Sequence, residues 1–112
     1  MKALFAGRLE ADLVLPYPKR SAEEQETLDL VLGAFRDWAA ENLDGAEVDR
    51  QGVFPGKVVA GLKELGFFGM TIPEEYGGSG MPLGSYCRLM EEICRHCAST
   101  ATIVGAHLGI GS

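Results

Sequence analysis

The run Cys94-Arg95-His96-Cys97, with Cys87 before it and His107 after it, is the densest collection of metal-ligating and redox-active side chains in the sequence. Zinc needs each ligand atom within about 2.3 Å of the ion, whereas one helix sets Cys87 and Cys94 roughly 10 Å apart along its axis. A redox Cys-x-x-Cys belongs at a helix N-terminus, where the dipole favours thiolate; this pair falls at the end of a helical pattern. The three thiols are therefore expected to pack as small hydrophobes in a core, with no metal between them. Two carboxylate pairs, Glu74-Glu75 and Glu91-Glu92, suggest acid–base chemistry. Neighbours on a helix point in different directions, so Glu91 and Glu92 cannot flank one substrate atom, and solvated or salt-bridged carboxylates are expected. His107 lies in an uncharged stretch where an imidazole needs a partner, and a hydrogen-bonded structural role is expected ahead of a chemical one. Cys97, Ala101, Gly105 and Gly109 recur every fourth residue, so one side of a helix carries no large side chain, with Thr102 at its border. Close packing against another helix and a slot for an extended apolar ligand both fit that pattern.

The elements that would position these residues are helical. Residues 1–20 lack sustained periodicity, and Pro16, Pro18 and Lys19-Arg20 keep a helix from running through, so this segment is expected as an extension laid along the domain. Ser21 with Glu24 forms a capping box that opens a first helix. Its buried stripe is Leu28, Val31, Leu32, Phe35, Trp38 and Ala39, with an end expected near Asn42 to Gly45. The acidic connection from Glu41 to Asp49 is expected as a solvated loop. Pro55 suits the first turn of a second helix, where its missing N–H costs nothing; Val58, Val59, Leu62 and Leu65 form its apolar stripe, and Gly66 can close it in the left-handed conformation. Between Gly69 and Gly80, Pro73 and the run Tyr76-Gly77-Gly78-Ser79-Gly80 oppose regular structure, which predicts an ordered crossing loop. Pro82 opens a third helix with Leu83, Tyr86, Cys87, Met90, Ile93, Cys94 and Cys97 on one face and Ser85, Arg88, Glu92 and Arg95 opposite. Ser99 is expected to cap a fourth, running from Thr100 to about Ile110. That helix carries no formal charge with His107 neutral, so neighbours should bury it; its shortage of partners before Ser112 suggests a piece of something larger. There are no strand signals and no internal repeats.

Composition bounds the alternatives. With 112 residues, 46% of them hydrophobic, the sequence can fill one core and not two. A formal charge of −6 and the lack of a Lys/Arg cluster argue against nucleic acid, whose binding depends on neutralising phosphates. No stretch approaches the roughly 20 apolar residues that span a bilayer, and the start has too brief an apolar run for a signal peptide. Three cysteines crowded into one segment make no disulfide framework. A cytoplasmic protein is expected.

The central stretch also carries a resemblance. Leu65-Gly66-Phe67-Phe68-Gly69-Met70-Thr71-Ile72-Pro73-Glu74-Glu75-Tyr76-Gly77-Gly78-Ser79-Gly80 resembles the loop between the second and third helices of the acyl-CoA dehydrogenase N-terminal domain. The match continues through Tyr86, Glu91-Glu92-Ile93 and Gly105-Ala106-His107-Leu108-Gly109-Ile110-Gly111-Ser112, and Leu13-Val14-Leu15-Pro16-Tyr17-Pro18 is similar to the very-long-chain branch. The resemblance implies an all-α, incomplete orthogonal helical bundle of about four helices over residues 21–112, a truncated domain, behind the extension of residues 1–20. It implies the leading part of a flavoprotein of fatty-acid β-oxidation that takes a proton from Cα and a hydride from Cβ of a fatty acyl-CoA and passes the hydride to FAD. In the family the catalytic base and the main flavin contacts come from later domains, so no catalytic or cofactor-binding residue is assigned here. The positions matching the acyl-chain wall are Ala101, Thr102, Gly105 and Gly109. Family members are commonly homo-oligomers. A different class stays open beside this one: a stand-alone helical module that pairs with another subunit or binds an acyl group without catalysis.

Overall fold

The computed structural model describes residues 2–111; Met1 and Ser112, the residue that closes the last resembling motif, lie outside the described residues. Six α-helices and no strand occur among them: α1 (Lys2–Phe5), α2 (Ala22–Asn42), α3 (Gly45–Gln51), α4 (Gly56–Glu64), α5 (Leu83–His96) and α6 (Ala98–Ala106). Short 3-10 turns sit at Ala11–Leu13, Phe67–Gly69 and Glu74–Tyr76, and a π-helical turn, His107–Gly111, prolongs α6. The four longer helices are those expected; α1 and α3 are additional.

The capping box at Ser21 is formed in full, with the Ser21 hydroxyl accepting from the Glu24 amide at 3.1 Å and the Glu24 carboxylate accepting from the Ser21 amide at 3.0 Å. From there α2 buries Leu28, Leu32, Phe35 and Ala39 as one stripe, with Val31 and Trp38 at its margins. Opposite it, α4 contributes Val58 and Leu62 to the same core, and Gly66, at φ 76°, ends the segment after α4 in the left-handed conformation. The α2–α4 crossing is close because Gly61 faces the Trp38 ring: a Cβ there would lie 2.6 Å from Cε2 and Cζ2 of the indole.

The Gly69–Gly80 segment crosses the bundle as an ordered loop. Its two ends are sewn together: Gly69 O accepts from Ser79 N at 3.0 Å, Ile72 O from Gly80 N at 2.8 Å, and Met70 O from Met81 N at 2.7 Å. A Cβ at Gly78 would run into the Ile72 carbonyl, so the close approach requires glycine.

Three expectations need correction. The acidic connection is not loop throughout. The Asp44 carboxylate accepts from the Glu47 amide and caps α3, and burial of Val48 anchors that helix, while Glu41, Asp44 and Asp49 stay exposed. Ser99 is not the cap of α6. Cys97 is the single extended residue between α5 and α6 and serves both helix ends, which places Ser99 inside the first turn.

The third correction concerns the face of α5. Ser85, Leu89, Glu92 and Ile93 are buried, Tyr86 and Met90 are half-buried, and Leu83, Cys87 and Cys94 face solvent. Of the expected core cysteines only Cys97 is buried. Glu92, expected on the wet side, faces α2 instead and is met there by Arg36. Hydrophobic periodicity assigns every carboxylate to water and has no means of seeing a partner on a helix more than fifty residues away.

Candidate functional site

Along α6 and its π-helical turn, three of the four residues of the expected acyl wall form a graded face. Ala101 is buried in the core, Gly105 is half-buried, and Gly109, in the π-helical turn, is exposed. A Cβ on Gly105 would sit 3.4 Å from Met90 Cε and 3.8 Å from Tyr86 Oη, so this glycine lets α5 and α6 approach with two long, adaptable side chains between them. At Gly109 a Cβ would meet nothing within 4 Å. Thr102 lies outside this strip on the exposed surface, and its hydroxyl donates to the Ala98 carbonyl at 3.0 Å. Both uses of a small-residue face therefore occur along one helix: packing at Ala101 and Gly105, open surface at Gly109.

The other flank of α6 borders a shallow apolar groove of about 490 Å³, walled by Val59, Lys63, Phe68, Ile103 and His107. Here the expectation for His107 is revised. Its imidazole is exposed and meets the Phe68 ring edge to face at 4.9 Å, with no hydrogen bond to it among the described residues. Phe68, fixed by the turn after Gly66, supplies the apolar partner that a helix read in isolation does not show.

The salt-bridged state expected among the carboxylates is met at Glu92, but sequence reasoning missed its partner on α2, Arg36, and the burial of Glu92 itself. Arg36 clamps Glu92 with two nearly parallel hydrogen bonds of 2.8 and 3.0 Å, and Arg88 donates to the same carboxylate at 3.2 and 3.3 Å. Hydrogen bonding from Arg36 outweighs the cost of burial and, with its charge and that of Arg88, holds the Glu92 carboxyl down to about 2. The same contacts raise Arg36 above its ordinary value. Fixed in charge and facing a neighbouring helix, this cluster joins two elements and offers no proton to a substrate. An arginine and a glutamate, each within an otherwise regular amphipathic helix, give no sequence signal of such a pair. Arg95 and Arg88 are also drawn to Glu91, at 2.6 and 3.6 Å.

No group of three or more His, Cys, Asp or Glu side chains able to hold an ion occurs among the described residues. No helix is long and apolar enough to cross a membrane among them.

With this geometry in place, comparison with known proteins fixes the class. Residues 23–112 match the model of the acyl-CoA dehydrogenase N-terminal domain. The chain is 36% identical over 110 residues to a probable acyl-CoA dehydrogenase, FadE10, of Mycobacterium tuberculosis (strain ATCC 25618 / H37Rv), covering 98% of this chain and 17% of that protein. It is 37% identical over 109 residues to the mitochondrial very long-chain specific acyl-CoA dehydrogenase of Mus musculus, covering 96% of this chain and 17% of that protein. Against the human mitochondrial short-chain specific acyl-CoA dehydrogenase it is 39% identical over 90 residues, covering 79% and 22%. No solved structure gives a significant match. The chain belongs to the acyl-CoA dehydrogenase family, as an N-terminal helical domain. It spans 17% of the length of the mycobacterial and mouse relatives.

Proposed function

We infer that this chain is the N-terminal part of an FAD-dependent acyl-CoA dehydrogenase and that α6 with its π-helical turn, through Ala101, Gly105 and Gly109 with Thr102 at their border, forms one wall of its acyl-chain pocket. Residues 1–20 act as an extension and residues 21–112 as the helical domain, in an enzyme of the cytoplasm that works as a homo-oligomer on fatty acyl-CoA. The observation that carries the reading is the family match over residues 23–112, which includes the whole of α6. The open space over Gly109 supports it, and over Gly105 stand only the flexible ends of Met90 and Tyr86.

No flavin contact is assigned to this chain, since the resemblance places the main flavin contacts in later domains. Arg36 and Arg88 are committed to Glu92, and Arg95 to Glu91, so these cations are not free to hold a pyrophosphate. The chemistry the family performs needs a carboxylate base near the Cα–H and hydrogen bonds to the thioester oxygen; neither is assigned to this chain, whose part is to bind and align the tail.

The test uses the full-length natural gene product. It should purify yellow and lose its flavin absorbance when fatty acyl-CoA is added. Gly105→Leu should shift chain-length preference toward shorter acyl groups by roughly tenfold in the kcat/KM ratio, about 1.4 kcal/mol. Gly105→Ala, whose added methyl meets only the mobile ends of Met90 and Tyr86, should fold normally and shift preference less. No bleaching by any acyl-CoA overturns the enzyme reading and leaves the acyl-binding or interaction module; bleaching with unchanged preference in Gly105→Leu overturns the wall.

A further inference from the structure

Two adjoining hollows lie beside the N-terminal part of α2, and Glu24, Pro82 and Ser85 border both. The inner one, about 240 Å³, is apolar, with Leu28, Val31, Phe67, Met70 and Met81 in its walls. The outer one, about 370 Å³, is bordered by Tyr17, Lys19, Arg20 and Glu24. Two cations face one carboxylate there, and Glu24 is already engaged by the Ser21 amide in the capping box. Arg20 donates to the Gly84 carbonyl at 2.7 Å, which fixes its guanidinium beside the first turn of α5. At the junction stands Ser85, 4% exposed, whose hydroxyl has no hydrogen-bond partner among the described residues. A buried hydroxyl without a partner costs about 1–3 kcal/mol, and a ligand oxygen would remove that cost.

We propose that these hollows form a binding site for a medium-chain aliphatic carboxylate, with its tail between Val31, Phe67 and Met70 and its head among Arg20, Lys19, Tyr17 and Ser85. The apolar inner walls remove methylene groups from water, each worth about 0.8 kcal/mol. An arginine held in place at the mouth recognises a carboxylate with little further ordering. Glu23 and Glu24, on the α2 side, orient the head toward Arg20 and Lys19 by repulsion. The site is separate from the α6 face and does not depend on dehydrogenase chemistry.

The experiment is calorimetric titration of the full-length protein with decanoate and with decanol. Both should bind, and decanoate tighter. Arg20→Met, at an exposed position, should weaken decanoate roughly tenfold and leave decanol unchanged. Ser85→Ala should weaken both by a smaller factor, and Val31→Trp, which fills the inner hollow, should abolish both. Failure of decanoate to bind overturns the site, as does binding that Arg20→Met and Val31→Trp leave unchanged, which would place the fatty acid elsewhere. These heats are read without turnover, so failure of the site and failure of the dehydrogenase reading are told apart.

Discussion

Glu92 shows how a buried carboxylate can keep its charge. It is 5% exposed and carries a full negative charge because Arg36 and Arg88 meet it with hydrogen bonds as well as opposite charge. A carboxyl held at about 2 when folded, against an ordinary 4.5, contributes stability that is present above the ordinary value and is lost as pH falls from about 4.5 toward 2. Urea midpoints of the chain should therefore decline over that window, and Glu92→Gln, with no such proton to take up, should show a flatter decline. Removing the clamp by Arg36→Met should lower the urea midpoint at neutral pH, through the loss of charge-assisted hydrogen bonds to a carboxylate that Arg88 still partly serves. Chemical-shift titration of Glu92 in that variant should give a value above about 2. An unmoved titration would show that Arg36 is not the principal cause.

Among the elements, α2 was the most legible in the sequence, from the capping box at Ser21 to its end at Asn42, because cap and stripe are local chemistry. The crossing loop was legible for a similar reason: Pro73 and the glycines restrict backbone choice whatever surrounds them. For α5 the legible pattern was offset from the buried face: Tyr86, Met90 and Ile93 are covered as expected, but Ser85, Leu89 and Glu92 are buried in place of Leu83, Cys87 and Cys94, and Glu92 meets Arg36 on another element. The exposed side has a measurable consequence. In the native chain Cys87 and Cys94 should react rapidly with an aromatic disulfide reagent, and Cys97 only on unfolding; three fast thiols, or none, would contradict this placement. The α2–α4 crossing gives a second test. Alanine is a better helix former than glycine by about 1 kcal/mol, yet Gly61→Ala should destabilise by about 1–2 kcal/mol net, because its methyl has to displace the Trp38 indole from a packed interface. A rise in melting temperature would show that the indole yields freely.

At the scale of the whole molecule, the Cα radius of gyration is 16.3 Å, against about 13 Å for a compact domain of this length. The excess fits a segment ahead of α2 that stays largely exposed and is tied to α5 by the Arg20–Gly84 hydrogen bond. It also fits a bundle that leaves Leu83, Ile110 and the Gly109 side of α6 uncovered. Such a surface suits a domain that shares its core with further structure, as the proposed acyl-CoA dehydrogenase would require.

Read alone, the sequence determined the helical class, the ordered loop and the family, because caps, glycine and proline positions, and the order of motifs are properties of neighbouring residues. Tertiary structure alone decided that Cys87 and Cys94 face water, that Glu92 is buried with Arg36, that His107 rests on Phe68, and that Gly105 faces Tyr86 and Met90. Each of those outcomes depends on a partner distant in sequence, and only the folded chain brings the two together.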